Sequence, residues 1–415
     1  MNEKKIVIVG YDAISPLGLE INQQWERALC GDSGIGKLTR FPVNDDFPVQ
    51  IAGQVPEIAG YSYPFLRARE LASWTSPIFQ YALLTVQRAL TMSRIEITAD
   101  IAPRVAITFS SAIGGVDALL KADRRMIAES KLPNPFMNPN SCINMVGGKI
   151  SILTGATGPI TSTITACSTG VSSIIVGAMF LALGRADVAI CGAVDFPLVE
   201  PIIAGFATMN AAYVYKENEP HVPEKASRPF SIDRRGFVVS EGSGAIIITT
   251  EEFAKAHGLN YQIEIAGWHM TSDAFHFVSP NFDTVKQCMS ESIRQANITP
   301  QQINAINAHA TSTKVGDRIE YDTLKAIFGN HIPPVTANKS LIGHAMGASS
   351  AIESVFTIQG MITDQLPPTL NYHPDKDMEL DCVAEGRRSI VQEYVLKNAF
   401  GFGGCNSCIV FRRIR

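Results

Sequence analysis

Thr161–Gly184 reads TSTITACSTGVSSIIVGAMFLALG. It opens on alternating β-branched residues, Thr161, Thr163, Ile164 and Thr165, which is strand composition. A corner of small residues follows, Ala166-Cys167-Ser168-Thr169-Gly170. The apolar run Val171–Leu183 is too long for a strand and reads as a buried helix. Cys167 therefore stands where a strand turns into a helix. Unpaired N–H groups and the positive end of the helix dipole favour a thiolate there, the nucleophilic form of cysteine.

The surrounding chain repeats this kind of unit. Ile6–Gly10, Val105–Phe109, Asp187–Val194 and Ala245–Thr249 are apolar runs of strand length, and Glu20–Cys30, Glu70–Met92 and Glu251–His257 carry helical patterns. Phe41–Tyr63 and Leu132–Asn140 are rich in Pro, Gly, Asp or Asn and read as loops. After Gly258, a helix stop, the order starts again. Tyr261–Gly267 parallels Ile6–Gly10, and Ile303–Asn307 parallels Val105–Phe109. The corner Pro334–Lys339 with the helix Gly347–Thr363 parallels the Cys167 unit. Leu396–Phe400 and Cys408–Phe411 parallel the end of the first half. The expectation is an α/β protein of two duplicated halves, 1–258 and 259–415, with mostly parallel sheets covered on both faces. A chain of 415 residues exceeds what one core usually holds, which agrees with two halves.

Composition narrows the function. The chain is 46% hydrophobic and 18% charged, with a net charge of −4. That suits a globular protein and gives no reason to expect nucleic acid. The N-terminal apolar run is too short for a signal peptide, and Ser173–Leu183 is too short to span a bilayer. A cytoplasmic protein without membrane contact is expected, so the acceptor pattern Asn297-Ile298-Thr299 carries no glycan. The eight cysteines are scattered, as reduced thiols are. Cys405 and Cys408 form a CxxC, but no second ligand pair accompanies them and they run into a strand, so neither metal nor dithiol chemistry is expected.

Sites in such folds lie beyond the carboxyl ends of strands. Three segments with reactive residues fall there: TACSTG around Cys167, NAHATST over 307–313, and NKSLIGHAMGASSAIE over 338–353. A Cys–His pair alone suggests a protease-like nucleophile. Two histidines and a lysine suit another need, in which the cysteine carries a thioester and histidines donate hydrogen bonds to a developing enolate.

These three segments, with SRPFSIDRRGFVVSEGSG (227–244), NAFGFGGCN (398–406) and GYDAISPLG (10–18), resemble the β-ketoacyl-acyl-carrier-protein synthases, condensing enzymes of the thiolase superfamily. The resemblance runs from about Ile6 to Phe411 and is closest to the elongating ketosynthases of bacterial fatty-acid and type II polyketide systems. The initiating type has Asn where this chain has His344. The resemblance implies a thiolase-like, layered αβαβα fold and a decarboxylative Claisen condensation. Cys167 would take an acyl chain from the phosphopantetheine of an acyl carrier protein, and the protein would bind no cofactor of its own. His309 and His344 would hold the malonyl thioester and stabilise its enolate. The N–H groups of Cys167 and Phe402 would form the oxyanion hole, with Phe402 and Phe400 in a glycine-flanked gate. Lys339 would pair with Glu320, and Thr311 and Thr313 would support the site. Arg67 and Arg69 would dock the carrier. Thr161–Thr165 would be the dimer-forming strand, in a homodimer or in a heterodimer with a chain-length-factor-like homologue.

The chain departs from the family pattern at Ala310, where glycine is usual, at Ser240 before Glu241-Gly242, and at Gly192-Ala193-Val194-Asp195. Ala310 is expected to cost roughly 1 kcal/mol if its φ is positive. The competing readings are a non-catalytic chain-length factor, which lacks the nucleophile, and a degradative thiolase, which needs a second cysteine in a setting that Cys405-Asn406 matches poorly.

Overall fold

The computed structural model describes residues 4–58, 73–216 and 220–414. Its centre is a nine-stranded sheet. The strands are β1 (Ile6–Ile14), β2 (Val105–Ser110), β3 (Val188–Asp195), β4 (Gly242–Thr250), β5 (Ile263–Ser272), β6 (Ala305–Asn307), β7 (Val335–Thr336), β8 (Tyr394–Gly401) and β9 (Cys405–Arg413). Their spatial order is β2-β3-β4-β1-β5-β9-β8-β6-β7.

The order exposes the duplication. The segment after Pro159 lies beside β2: Ile160 bridges Ile107 in parallel, and Thr161 N–H donates to Ile107 O at 3.0 Å. Numbered within each half, with that segment as the third member, both halves run third, second, fourth, fifth, first. Strand directions match as well. The halves join where β1 meets β5 over the short stretch Ile6–Ile8 with Ile263–Ile265.

The layers follow from which helices cover which face. Helix α1 (Pro77–Ser93) and α2 (Met145–Thr154) pack on the outer face of the first half, around Val105, Ile107, Val188 and Ile247. The other helices that position the site are α3 (Thr169–Ala182), α4 (Phe282–Gln295), α5 (Lys314–Phe328), the short α6 (Lys339–Ile342) and α7 (Met346–Thr363). α4 and α5 cover the outer face of the second half, while α3 and α7 lie in the middle, packed against strands of both halves. The result is α-β-α-β-α, as the resemblance implies. α7 is buried on all sides from Met346 to Met361, which is why its apolar residues show no single stripe. α3 crosses α7 at a distance only glycine allows: a Cβ on Gly170 would lie 2.4 Å from Ala351 N.

The α/β class and the two equivalent halves match the sequence reading. Two details differ. The sheet is parallel toward its ends (β2 with β3; β8, β6 and β7) and antiparallel from β3 through β8. Continuous apolar runs report burial of both faces, which antiparallel central strands share, so strand direction was not contained in them. Thr161–Thr165 forms no strand: its pairing ends with the contacts of Ile160 and Thr161 to Ile107 at the sheet's edge. The stretch Phe41–Tyr63, read as a loop, contains a short strand, Ile51–Gly53, paired antiparallel with Ile35–Lys37, and its end lies outside the described residues. The helix read from Glu70, whose first residues also lie outside the described ones, runs over Pro77–Ser93, and Leu132–Asn140 runs into a short helix, Met137–Ser141. Elsewhere the boundaries move by a few residues. Among the described residues no helix is long and apolar enough to cross a membrane.

Candidate active site

The chain reaches Cys167 through a tight corner. Thr165 O accepts Ser168 N–H at 3.1 Å, Ala166 takes φ +49°, and a single 3₁₀ turn, Ala166–Ser168, leads into α3. Ser168 Oγ donates to Thr165 O and to Cys405 O, bracing the corner against β9. The half-buried Cys405 therefore supports the corner through its backbone, while Cys408 is buried 3.4 Å from Asn398 Oδ1. Among the described residues no group of three or more His, Cys, Asp and Glu side chains is arranged to hold a metal.

Cys167 and both sequence-predicted histidines converge. His344 Nε2 lies 3.0 Å from Cys167 Sγ. The His309 ring stands nearly perpendicular to that of His344, with centroids 5.9 Å apart, and Phe400 lies 5.5 Å from His309. All three reactive residues line a cavity of about 460 Å³, with Phe237, Thr311, Thr313 and Phe402 also in its wall. Thr311 and Thr313 are joined through their hydroxyls at 3.0 Å.

The tautomer of His344 follows from its neighbours. Ser349 Oγ accepts Ala345 N–H at 2.7 Å and lies 2.9 Å from His344 Nδ1. The serine hydrogen goes to Nδ1, which puts the imidazole hydrogen on Nε2, facing the sulfur and the cavity. Phe237 packs edge-on against the same ring at 5.1 Å. His344 is held from behind as well, since its N–H donates to Val238 O and its carbonyl accepts Ser240 N–H. The contact at Ser240 is made by the backbone, as a glycine there would also make it.

Charge under the histidines is organised by a buried cluster. Lys339 Nζ donates to His309 O and to Glu353 Oε1, both at 2.6 Å. Glu353 Oε2 binds a second ammonium, Lys397 Nζ, also at 2.6 Å. Glu320 does not pair with Lys339. Its two oxygens accept the N–H groups of His309 and Ala310 at 2.9 and 2.8 Å, and Oε1 also accepts Asn398 Nδ2. Those orphan donors, made by the turn after β6, claim the carboxylate first. Ala310 takes φ +22° to present its N–H. The strain, roughly 1–2 kcal/mol for a non-glycine residue, is only partly offset by a buried methyl worth about 0.8 kcal/mol.

Both imidazoles are held well below the ordinary histidine value. Burial is the largest cause, and the ammonium charges of Lys339 and Lys397 add to it. Two neutral rings are suited to donating hydrogen bonds. The Cys167 thiol is pushed up to about 12 by burial, with Asp195 adding to the effect. Lys339 and the backbone N–H groups of Phe402 and Cys167, both aimed at Sγ, pull the other way. The expectation of a ready thiolate is corrected here: in the closed corner desolvation outweighs the helix terminus.

Asp195 shows why the run Gly192-Ala193-Val194-Asp195 matters. Oδ1 accepts Ser111 Oγ–H and the N–H groups of Ala112 and Ile113, and Oδ2 accepts Ala348 N–H. It fastens the loop after β2 to the start of α7, beside the Cys167 corner. The loop carrying Phe402 passes so close to the corner that a Cβ on Gly401 would lie 2.3 Å from Thr165 O. Arg67 and Arg69 lie outside the described residues.

Sequence reading missed Glu353, Lys397, Asp195 and Ser349. Glu353 is the last residue of the NKSLIGHAMGASSAIE segment, a charge seven places into an otherwise apolar helix, and that was a usable signal.

The model of the β-ketoacyl synthase N-terminal domain matches residues 3–254, and that of the C-terminal domain matches 263–373. The chain is 34% identical over 426 residues to 3-oxoacyl-[acyl-carrier-protein] synthase 2 of Coxiella burnetii, covering all of both chains. Among solved structures it is similar to a β-ketoacyl synthase of Burkholderia phymatum (TM-score 0.91, 27% identity, 99% of this chain and 100% of that one). It is also similar to a type II polyketide-synthase complex, described as an acyl-carrier protein with its ketosynthase bound to the hexaketide (TM-score 0.89, 26% identity, 100% of both chains).

Proposed function

This chain belongs to the β-ketoacyl synthase family, and we propose that it condenses an acyl thioester on Cys167 with the carbanion released from malonyl-[acyl-carrier protein]. The observation that carries the reading is the meeting of one thiol and two neutral imidazoles in one cavity wall, with Nε2 of His344 3.0 Å from the sulfur.

The steps divide between the residues. Cys167 attacks the acyl thioester of the carrier, and the N–H groups of Cys167 and Phe402 hold the oxyanion. The carrier leaves as its free phosphopantetheine thiol. Malonyl thioester then enters, and His309 and His344 donate to its carbonyl oxygen. Loss of CO₂ leaves an enolate on that oxygen, and its carbon attacks the Cys167 thioester. The product is a β-ketoacyl thioester on the second carrier, and the sulfur is released to be reprotonated. Lys339 positions His309 through the backbone. Phe402 and Phe400 serve as the gate, and Thr311 and Thr313 line the approach. The substrates bring the phosphopantetheine, and the protein needs no cofactor of its own.

The partner is an acyl carrier protein, docked through basic residues that include Arg67 and Arg69. A second ketosynthase subunit, identical or chain-length-factor-like, adds to the edge at Ile160–Thr165, where Ile160 and Ile164 are exposed. We place the boundary between the halves near Gly258 and the protein in the cytoplasm. The polyketide alternative, a ketosynthase subunit paired with a chain-length factor, draws support from the likeness to the polyketide complex.

The test supplies malonyl- and acyl-carrier protein and reads the product mass. A β-ketoacyl thioester lengthened by two carbons, lost in Cys167→Ala, is the expected result. Full condensation by Cys167→Ala overturns the assignment.

A further inference from the structure

Lys397 is a fully buried ammonium on β8 that the condensation as described does not use. It donates to Glu353 Oε2 at 2.6 Å and to Asn398 O at 2.8 Å. The other oxygen of the same carboxylate holds Lys339 at 2.6 Å. One buried carboxylate thus carries two buried ammoniums, and the Lys339 end continues to His309 O. A lone Lys339–Glu353 pair would be closed and neutral. The second ammonium adds a positive charge to that pair, opposite the nearby Glu320 carboxylate.

We propose that Lys397 is a positioning residue of the condensation: bound to Glu353, it completes the buried charge cluster beneath His309 that, together with burial, leaves His309 and His344 as hydrogen-bond donors, so that the carbanion formed between them attacks the acyl thioester instead of taking up a proton.

The proposal rests on the condensing reading above. Its chemistry concerns the fate of the enolate. A neutral imidazole N–H donates a hydrogen bond to the enolate oxygen but is too weak an acid to give up its proton. An imidazolium in the same place gives its proton to the carbanion. The C–H bond then forms where the C–C bond should, acetyl thioester is released, the imidazole returns to neutral, and the acyl group stays on Cys167. Partition between condensed and acetyl product therefore reports the charge on the two rings.

Every element around Lys397 contributes to that charge. Glu353 on α7 and Glu320 on α5 are the carboxylates, Lys339 on α6 is the other cation, and the thiol of Cys408 on β9 and the rings of His309 and His344 complete the set. Two ammoniums balance two carboxylates. Removing the charge of Lys397 leaves one carboxylate in excess beside the rings and favours their protonation.

The experiment uses Lys397→Gln, whose amide keeps donors for Glu353 and Asn398 while losing the charge. With hexanoyl- and malonyl-carrier protein, acetyl and β-ketooctanoyl products are quantified together at about pH 6 and about pH 8.5, on either side of an ordinary imidazole. Wild type must condense first; if it does not, the reading of the function fails and the ratio is not at issue. The acetyl-to-condensed ratio of K397Q is expected to rise about tenfold at the lower pH and to fall back at the higher. Lys397→Arg, which keeps the charge, restores the wild-type ratio. A K397Q ratio equal to wild type at both pH values overturns the proposal. If K397Q fails to fold, the double variant Lys397→Gln/Glu353→Gln removes one charge of each sign. A wild-type ratio there supports the proposal, and a raised ratio contradicts it.

Discussion

His344 stands 3.0 Å from the Cys167 sulfur through Nε2 and 2.9 Å from Ser349 through Nδ1. The serine sets the hydrogen on Nε2, so the ring acts as a donor toward whatever occupies the cavity beside the sulfur. Loss of one such donor from a preorganised site typically costs about 10²–10³ in rate. His344→Ala is expected to lose malonyl decarboxylation by that factor, measured as CO₂ release. Cys167→Gln, which leaves the ring in place, should still decarboxylate. Normal decarboxylation by His344→Ala would remove the ring from the enolate step.

The depressed histidines fix a pH dependence. Both rings stay neutral in the folded protein as pH falls through 6.5, the ordinary value. Decarboxylation should therefore show no acid limb at 6.5. Stability behaves differently, because the unfolded chain takes up protons at 6.5 that the folded chain refuses. The two rings' contribution is present in full above that value and declines as pH falls below it. Urea titrations on either side of 6.5 read the decline, and an acid limb centred at 6.5 in the rate would contradict the neutral-ring account.

Glu353 is the residue whose loss leaves the most behind. Glu353→Ala strands two buried ammoniums, and breaking a buried ion pair from one side costs about 3–5 kcal/mol. Denaturant unfolding should show a loss in that range. A change under 1 kcal/mol would mean that the lysines find other partners.

Gly401 passes against the Cys167 corner, where a Cβ would meet Thr165 O at 2.3 Å. Gly401→Ala should shift the loop, at an overpacking cost of about 1–3 kcal/mol, and move the Phe402 N–H off the sulfur. Condensation is expected to fall while far-ultraviolet circular dichroism stays unchanged. Wild-type turnover in this variant would place the oxyanion donors elsewhere.

Much of this was legible in the sequence, for identifiable reasons. The small corner and long apolar run around Cys167 announced the turn into a buried helix, and the pattern restarting after Gly258 announced the second half. His309, Lys339 and His344 stood at equivalent strand ends, and the fold brings them together. What stayed hidden depends on three-dimensional placement. Lys397, inside the strand YVLKNAFG, reads like a solvent-facing residue until β6 and β9 flank it and α7 covers it. Glu320 could be paired with Lys339 on paper, because nothing in the letters says that two backbone N–H groups claim it first. The helix terminus beside Cys167 is visible in the letters, but the burial that opposes a thiolate there arises only in the fold.

The most direct test of the central claim is the acyl group on Cys167. The protein is incubated with acyl-carrier protein alone, and its peptides are weighed by mass spectrometry. The account predicts the acyl mass on the peptide carrying Cys167, removed by hydroxylamine as a thioester, and its disappearance with a matching β-ketoacyl product once malonyl-carrier protein is added. An unmodified Cys167 under conditions in which condensation proceeds would contradict it.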